Sequence, residues 1–311
     1  MATALYSHES GHAHVTPPGH PERVARLETI ERVLEAPEFA ELDQCEAPLA
    51  ADAEILRCHP EAYLAALRKV SPDSGHVSLD GDTHMSPGSL RAALHAVGGC
   101  SAAVDAVMGA EASNAFVACR PPGHHAETAT PKGFCLFGTA AIAVKRALDH
   151  HGLSRVALVD FDVHHGNGSQ ALLWEEPRAL FVSSHQSPLW PGSGARDERG
   201  GHDNVVNLPL DPMTGTSEMR RAYERVAFPA IEAFAPELIL VSAGFDAHAA
   251  DPLANLNWTE ADFTWITSAI CDLADAHSNG RVVSTLEGGY DLDALGASVA
   301  AHVRVLMERG G

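Results

Sequence analysis

The stretch "RVALVDFDVHHGNG" (155–168) decides how this chain is read. Its first half is a short, continuous apolar run with β-branched valines, the pattern of a strand buried on both faces. Its second half packs two carboxylates and two imidazoles into six residues, Asp160 to His165. Open parallel sheets bind ligands beyond the carboxyl ends of their strands, so ligand chemistry at the end of such a run predicts a site there.

Working outward, "NAFVACR" (114–120), "RALFVSSH" (178–185), "VVNLPL" (205–210), "ELILVSAGFD" (237–246) and "RVVSTLEGGY" (281–290) read as further strands. Amphipathic helices alternate with them, over 89–110, 139–151, 216–234, 259–277 and 293–308. Thr259 with Asp262 opens one of these as an N-cap and an acidic first turn. This alternation predicts an α/β fold around a mostly parallel sheet. No repeat, low-complexity tract or linker divides the chain, so one domain is expected over 1–311. Residues 1–90 are less regular and are expected to supply helices and loops around the sheet.

Each predicted strand end can be tested for chemistry. "RPPGHHAET" follows the first, with His124 and His125. His185 follows another, then "SPLWPGSG". "GFDAHAADPL" supplies Asp246, His248 and Asp251, and "EGGYD" supplies Glu287, Tyr290 and Asp291. One such end is an ordinary capped turn. Five at the same edge of one sheet point to an active site.

Side chains at i and i+2 share a strand face, so a strand that persists that far puts Asp160, Asp162 and His164 on one side, with Phe161 and Val163 packed on the other. Asp162 and His164 then form a natural pair for one metal, with Asp246 the best third ligand. An Asp-His-Asp set with an open position suits a Lewis-acid zinc, at about 2.0–2.2 Å. Asp160, one step deeper, can orient an imidazole or help hold a monovalent cation.

Bulk properties bound the reading. The chain has 311 residues, 45% hydrophobic and 20% charged, which is ample for a core. Its net charge of −20 and lack of a basic cluster argue against nucleic acid as partner. The six cysteines form no C-x-x-C pair, which argues against a zinc ribbon or a disulfide framework. "MATALYSHESGHAH" is no signal peptide and no apolar run approaches a membrane span, so the chain reads as cytoplasmic, without a membrane partner. The nineteen histidines matter by position. His165 and His185 read as supporting residues. The segment with His8, His12, His14 and His20 reads as a flexible rim loop, a second metal there being conceivable.

"HPERVARL" (20–27), "RPPGHHA" (120–126), "DFDVHHGNG" (160–168), "SAGFDAH" (242–248) and "LEGGY" (286–290), in this order, resemble the zinc-dependent deacetylases: histone deacetylases, acetylpolyamine amidohydrolases and acetoin-utilisation proteins. The resemblance spans about residues 6–305, and Asn167 and Glu287 resemble its class II branch. It implies an arginase-like three-layer α/β/α sandwich with a central eight-stranded parallel sheet. It assigns Asp162, His164 and Asp246 to zinc, His124 and His125 to a tandem histidine pair, and Tyr290 to the tyrosine that contacts the substrate carbonyl. Asp160 matches the Asp behind the first histidine. Asn167 stands where another family Asp supports the second. Gly133, Phe134 and Trp190 match the acyl-lysine tunnel, Leu253 a pocket-rim residue, and Asp82 a rim residue that contacts the substrate backbone. The family's inner potassium site implies K+ at oxygens of Asp160, Asp162, His164, Ser183 and Ser184.

The implied reaction is hydrolysis of an acylated lysine or another acylated amine, with homo-oligomerisation left open. Acetylpolyamine hydrolysis is the first alternative, but polyamine-selective relatives carry Glu where this chain has Leu253. An arginase-type site would need two manganese ions and more ligands. A non-catalytic binding protein should have lost a ligand, the histidine pair or the tyrosine, and all are present.

Overall fold

A computed structural model describes residues 2–310. Eight parallel strands form one sheet: β1 (Thr3–Ser7), β2 (Asp43–Glu46), β5 (Asn114–Val117), β6 (Val156–Asp160), β7 (Ala179–Gln186), β8 (Val205–Leu210), β9 (Leu238–Ala243) and β10 (Val282–Leu286). Two short strands, β3 (Val77–Ser78) and β4 (His84–Met85), pair as a separate antiparallel hairpin. The order in the sheet is β2-β1-β5-β10-β9-β6-β7-β8.

The three layers follow from side-chain alternation. Val156 and Leu158 of β6 join one core with Ala115, Val117, Phe181 and Leu240, beneath helices Ser89–Met108 and Thr139–Asp149. Ala157 and Val159 face the opposite core with Phe116, Val182 and Val241, against helices Glu260–His277 and Leu292–Gly310. Both faces are therefore buried, as the continuous apolar runs require. The 216–234 helix forms with a π-turn at Tyr223–Ala227, and Thr259 with Asp262 makes a full capping box.

One expectation is corrected. Residues 1–90 supply two strands of the sheet as well as helices. β2, "DQCE", is a mostly exposed edge strand. Polar and charged residues blunt such an edge and erase the apolar pattern by which strands are recognised.

A second correction concerns the opening stretch. β6 stops at Asp160, so Asp162 and His164 lie on a loop and share no strand face with it. The local chemistry explains the stop. Asp160 Oδ1 accepts the Asp162 N–H at 3.1 Å, and Asp162 Oδ1 accepts the His164 N–H at 2.9 Å. Asp246 Oδ1 accepts the intervening Val163 N–H at 2.8 Å. Carboxylates thus capture the amides that a sheet ladder would use. Phe161 and Val163 still pack into the core.

His302 makes the core sensitive to acid. Thr267 Oγ1 donates to Phe263 O at 2.6 Å, so it accepts from His302 Nδ1 at 2.7 Å. His302 Nε2 then accepts from Ser284 Oγ at 2.9 Å. Burial lowers this imidazole to about 3, whereas the unfolded value is 6.5. Its contribution is full above pH 6.5 and is lost as pH falls toward 3, because only the unfolded chain takes up the proton. The loss should reach about 2–3 kcal/mol by pH 4.5, at about 1.36 kcal/mol per pH unit. Thermal unfolding of His302→Gln between pH 7 and 4.5 should show a shallower decline than the parent.

Candidate active site

The chain passes from β5 directly to β6, leaving a gap that β10 and β9 later fill. Four adjacent strand ends, distant in sequence, therefore meet at one edge. β5 leads to His124 and His125, β10 to Glu287 and Tyr290, β9 to Asp246, and β6 to Asp160 through His165.

At the floor, Asp162, His164 and Asp246 are buried, with one donor atom from each within 4.8 Å of the others. His164 Nδ1 lies 3.1 Å from Asp162 Oδ1 and 3.1 Å from Asp246 Oδ2. A Cβ on Gly244 would collide with the Asp162 carboxylate, and one on Gly288 with both carboxylates. Glycine at these positions lets the backbone close around the cluster. Two carboxylates and an imidazole, buried without thiolates, fit a divalent cation such as zinc.

Above them, His124 Nδ1 meets Asp160 Oδ2 at 2.9 Å, and His125 Nδ1 meets Asn167 Oδ1 at 2.8 Å. Burial opposes charge on His124, but Asp162 and Asp160 carry its pKa well above the ordinary value. Burial, then His124 and His164, push His125 well below its own. The two neighbouring imidazoles are thus pushed in opposite directions. Burial, followed by the Asp246 charge, raises the Tyr290 phenol well above its usual range, so it keeps its proton as a donor.

A cavity of about 370 Å³ opens over this floor. Gly133, Phe134, Trp190, Leu253 and Asp82 line it together with His125, His164 and Tyr290. Gly133 has φ +55°, and a Cβ there would strike the His125 and Trp190 rings. The β3–β4 turn carries Asp82 to the cavity. Ser183 is the register partner of Asp160, and its Oγ lies 3.0 Å from His185 Nδ1. The Ser184 hydroxyl instead meets the Tyr223 hydroxyl at 2.6 Å.

His165 bonds Ser193 at 2.8 Å and Gln170 at 3.0 Å, and His185 bonds Gly194 O at 3.0 Å. Both are buried and absent from the cavity lining. The N-terminal histidines do not gather. His8 stacks on His95 at 3.4 Å, His12 meets Glu31, and His14 meets Ser89 and Glu22. Of these four, His20 alone reaches the cavity, so 8–20 is no rim loop as a whole.

Glu22 and Arg26 escaped the sequence reading, and Asp251 and Glu287 were named there only as strand-end acids, without their partners. Arg26 donates from Nε to Gly289 O at 2.6 Å and from Nη2 to Glu287 O at 2.5 Å, and its guanidinium lies 5.0 Å from the Tyr290 ring centroid. Glu22, fully buried, pairs with Arg26 and with Arg120. Asp251 accepts the N–H of Tyr290 at 2.7 Å and of Leu253 at 2.9 Å. Glu287 Oε2 accepts the N–H of Gly123 at 2.7 Å and of His124 at 3.1 Å. Their only signal was position inside the quoted motifs.

Buried acid-imidazole donors beneath an apolar-walled cavity, on a parallel α/β/α sandwich, define a metal-dependent hydrolase. Comparison with known proteins identifies the class more closely. The histone deacetylase domain matches residues 20–306. A histone deacetylase-like amidohydrolase of Pseudomonas aeruginosa is 40% identical, over 89% of this chain and 74% of that protein. A probable deacetylase of Archaeoglobus fulgidus is 36% identical, over 94% and 82% respectively. The crystal structure of the HDA15 HD domain superposes with a TM-score of 0.94 at 31% identity, covering 99% of this chain and 89% of that one. The chain belongs to the histone deacetylase family. It is a hydrolytic deacetylase with the family's arginase-like fold, and zinc dependence is typical of that family. Among the described residues no helix is long and apolar enough to cross a membrane.

Proposed function

We propose that the whole chain, 1–311, acts as one deacetylase domain that removes acetyl or other acyl groups from the side-chain amine of acyl-lysine. The observation that carries this is the cavity. Phe134 and Trp190 line it above His125, His164 and Tyr290, and its Leu253 position carries no carboxylate. Aromatic walls suit the methylenes of a lysine side chain. An uncharged Leu253 leaves a distal polyamine ammonium without a partner there.

Asp162, His164 and Asp246 would hold the zinc, which when bound supplies a Lewis acid that polarises the acyl carbonyl and lowers the pKa of water toward ~7. His125, neutral with Nδ1 turned to Asn167, takes the proton from water at Nε2 and delivers it to the leaving amine. His124, cationic against Asp160, supports the negative charge that develops nearby. Tyr290 donates a hydrogen bond from its phenol to the developing oxyanion and keeps its proton. Phe134, Trp190 and Gly133 exclude solvent from the acyl chain, and Asp82 meets the substrate backbone. Potassium belongs with Asp160, Asp162, His164, Ser183 and Ser184. Because the Ser184 hydroxyl is engaged by Tyr223, Ser184 would offer its carbonyl oxygen.

The test is a comparison of kcat/KM for acetyl-lysine peptides and acetylspermidines. Acetyl-lysine peptides should be preferred, and Leu253→Glu should move the ratio toward the polyamine by up to about fivefold, the scale of one charge pair near a surface. Equal or better use of acetylspermidine by the parent protein would favour the polyamine reading.

A further inference from the structure

We infer that Glu127 sets the tautomer of His125 by fixing which way the Asn167 carboxamide points. This rests on the reading of His125 as general base.

Where class I members of the family carry an Asp behind the second histidine, this chain carries Asn167. A carboxylate accepts a hydrogen bond through either oxygen, so it has no wrong orientation. A carboxamide has one accepting end and one donating end. If its Nδ2 faced His125, Nδ1 of the ring would have to accept, the neutral proton would sit on Nε2, and the nitrogen needed as base would be blocked.

The structure shows what prevents this. Asn167 Nδ2 donates to Glu127 Oε1 at 2.7 Å and, more weakly, to the His125 backbone oxygen at 3.3 Å. An ionised carboxylate only accepts, and its hydrogen bonds are the stronger, charge-assisted kind. Asn167 Oδ1 is thereby turned to His125 Nδ1 at 2.8 Å, and that nitrogen carries the proton. Nε2 is left with its lone pair on a ring that lines the cavity.

The glycines of "HHGNG" make the contact possible. A Cβ on Gly168 would collide with the Ala126 oxygen and the His125 carbonyl carbon. Helix Asn167–Leu173 can therefore start against the His125 backbone. Glu127 is itself steadied from outside. Lys132 Nζ lies 3.7 Å from its carboxylate, and Lys132 also sits 5.7 Å from the Trp190 ring centroid. The Glu127 side chain is 37% exposed, so it can be exchanged without opening the core.

Glu127 is a positioning residue, and its sign can be reversed. A lysine has three donors and no acceptor, so Glu127→Lys should draw Asn167 Oδ1 outward and turn Nδ2 to the ring. Turnover should fall about 10²-fold, the lower end of what a general base contributes, with KM and zinc content unchanged. Adding Asn167→Asp to Glu127→Lys should restore kcat to within about tenfold of the parent, because the introduced carboxylate accepts from the new ammonium and from His125 at once. Imidazole 15N resonances should show the His125 proton moving from Nδ1 to Nε2 in Glu127→Lys and back in the double variant. Wild-type turnover in Glu127→Lys, or a loss that Asn167→Asp does not rescue, overturns the inference. His125→Ala separates the two levels. If it is inactive while Glu127→Lys is not, only the tautomer inference fails. If His125→Ala turns over normally, the general-base reading fails with it.

Discussion

Asp246→Asn is expected to lose bound zinc and amide hydrolysis together. Asp246 is fully buried, with Oδ2 3.1 Å from His164 Nδ1 and Oδ1 accepting the Val163 N–H at 2.8 Å. Asn is nearly isosteric and keeps an acceptor for Val163, so the loop after β6 should hold its shape. It removes one of the two negative charges of the proposed ligand set and presents an amide donor to the cluster. Zinc sites of this kind use three protein ligands, and two neutral or singly charged donors hold a dication far less well. Elemental analysis should show zinc falling from about one per chain toward none, and turnover should fall on the order of 10³-fold or more, since both carbonyl polarisation and water activation are lost. Chelation of the parent protein should produce the same pair of losses. Zinc added back should reverse the loss in the parent and not in the variant. Full zinc content with normal turnover in Asp246→Asn would remove this residue from the ligand set.

Tyr290→Phe should cut turnover about 10²–10³-fold, or roughly 2.7–4 kcal/mol, while zinc stays bound. The substitution deletes one hydroxyl and nothing that holds the ring. The Tyr290 N–H still bonds Asp251, the Arg26 guanidinium still sits over the ring, and Phe134 still meets it edge-on at a centroid distance of 5.9 Å. The loss should therefore appear in kcat with little change in KM, as expected for a donor that acts chiefly on the transition state. Unfolding temperature should be close to that of the parent. Near-normal kcat in this variant would move oxyanion stabilisation to another group.

These predictions depend unequally on sequence and structure. The six predicted strands were legible because burial on both faces leaves a continuous apolar run. β1 and β2 were not, because β1, "TALYS", begins and ends on hydroxyl residues and the other is a polar edge strand. The cavity residues were named from local motifs and were found around a common cavity. The strand face expected to unite Asp160, Asp162 and His164 does not form, since carboxylate-captured amides end the strand at Asp160. The roles of Glu22, Arg26 and Asp251 stayed hidden because they are hydrogen bonds across the fold, between segments as far apart as Arg26 and Gly289.

By itself, the sequence determined the layered α/β architecture, the strand ends that carry chemistry, and the family. All of these depend on residue type at short spacing. Only the tertiary structure decided which nitrogen of His125 is turned inward, what Asn167 and Glu127 do together, and which buried charges brace Tyr290. Those depend on the orientation of side chains from distant segments, where a difference of one hydrogen-bond donor or acceptor changes the chemistry and leaves no local pattern. "DFDVHHGNG" supplies the ligand types, and the four strand ends around it determine what each one touches.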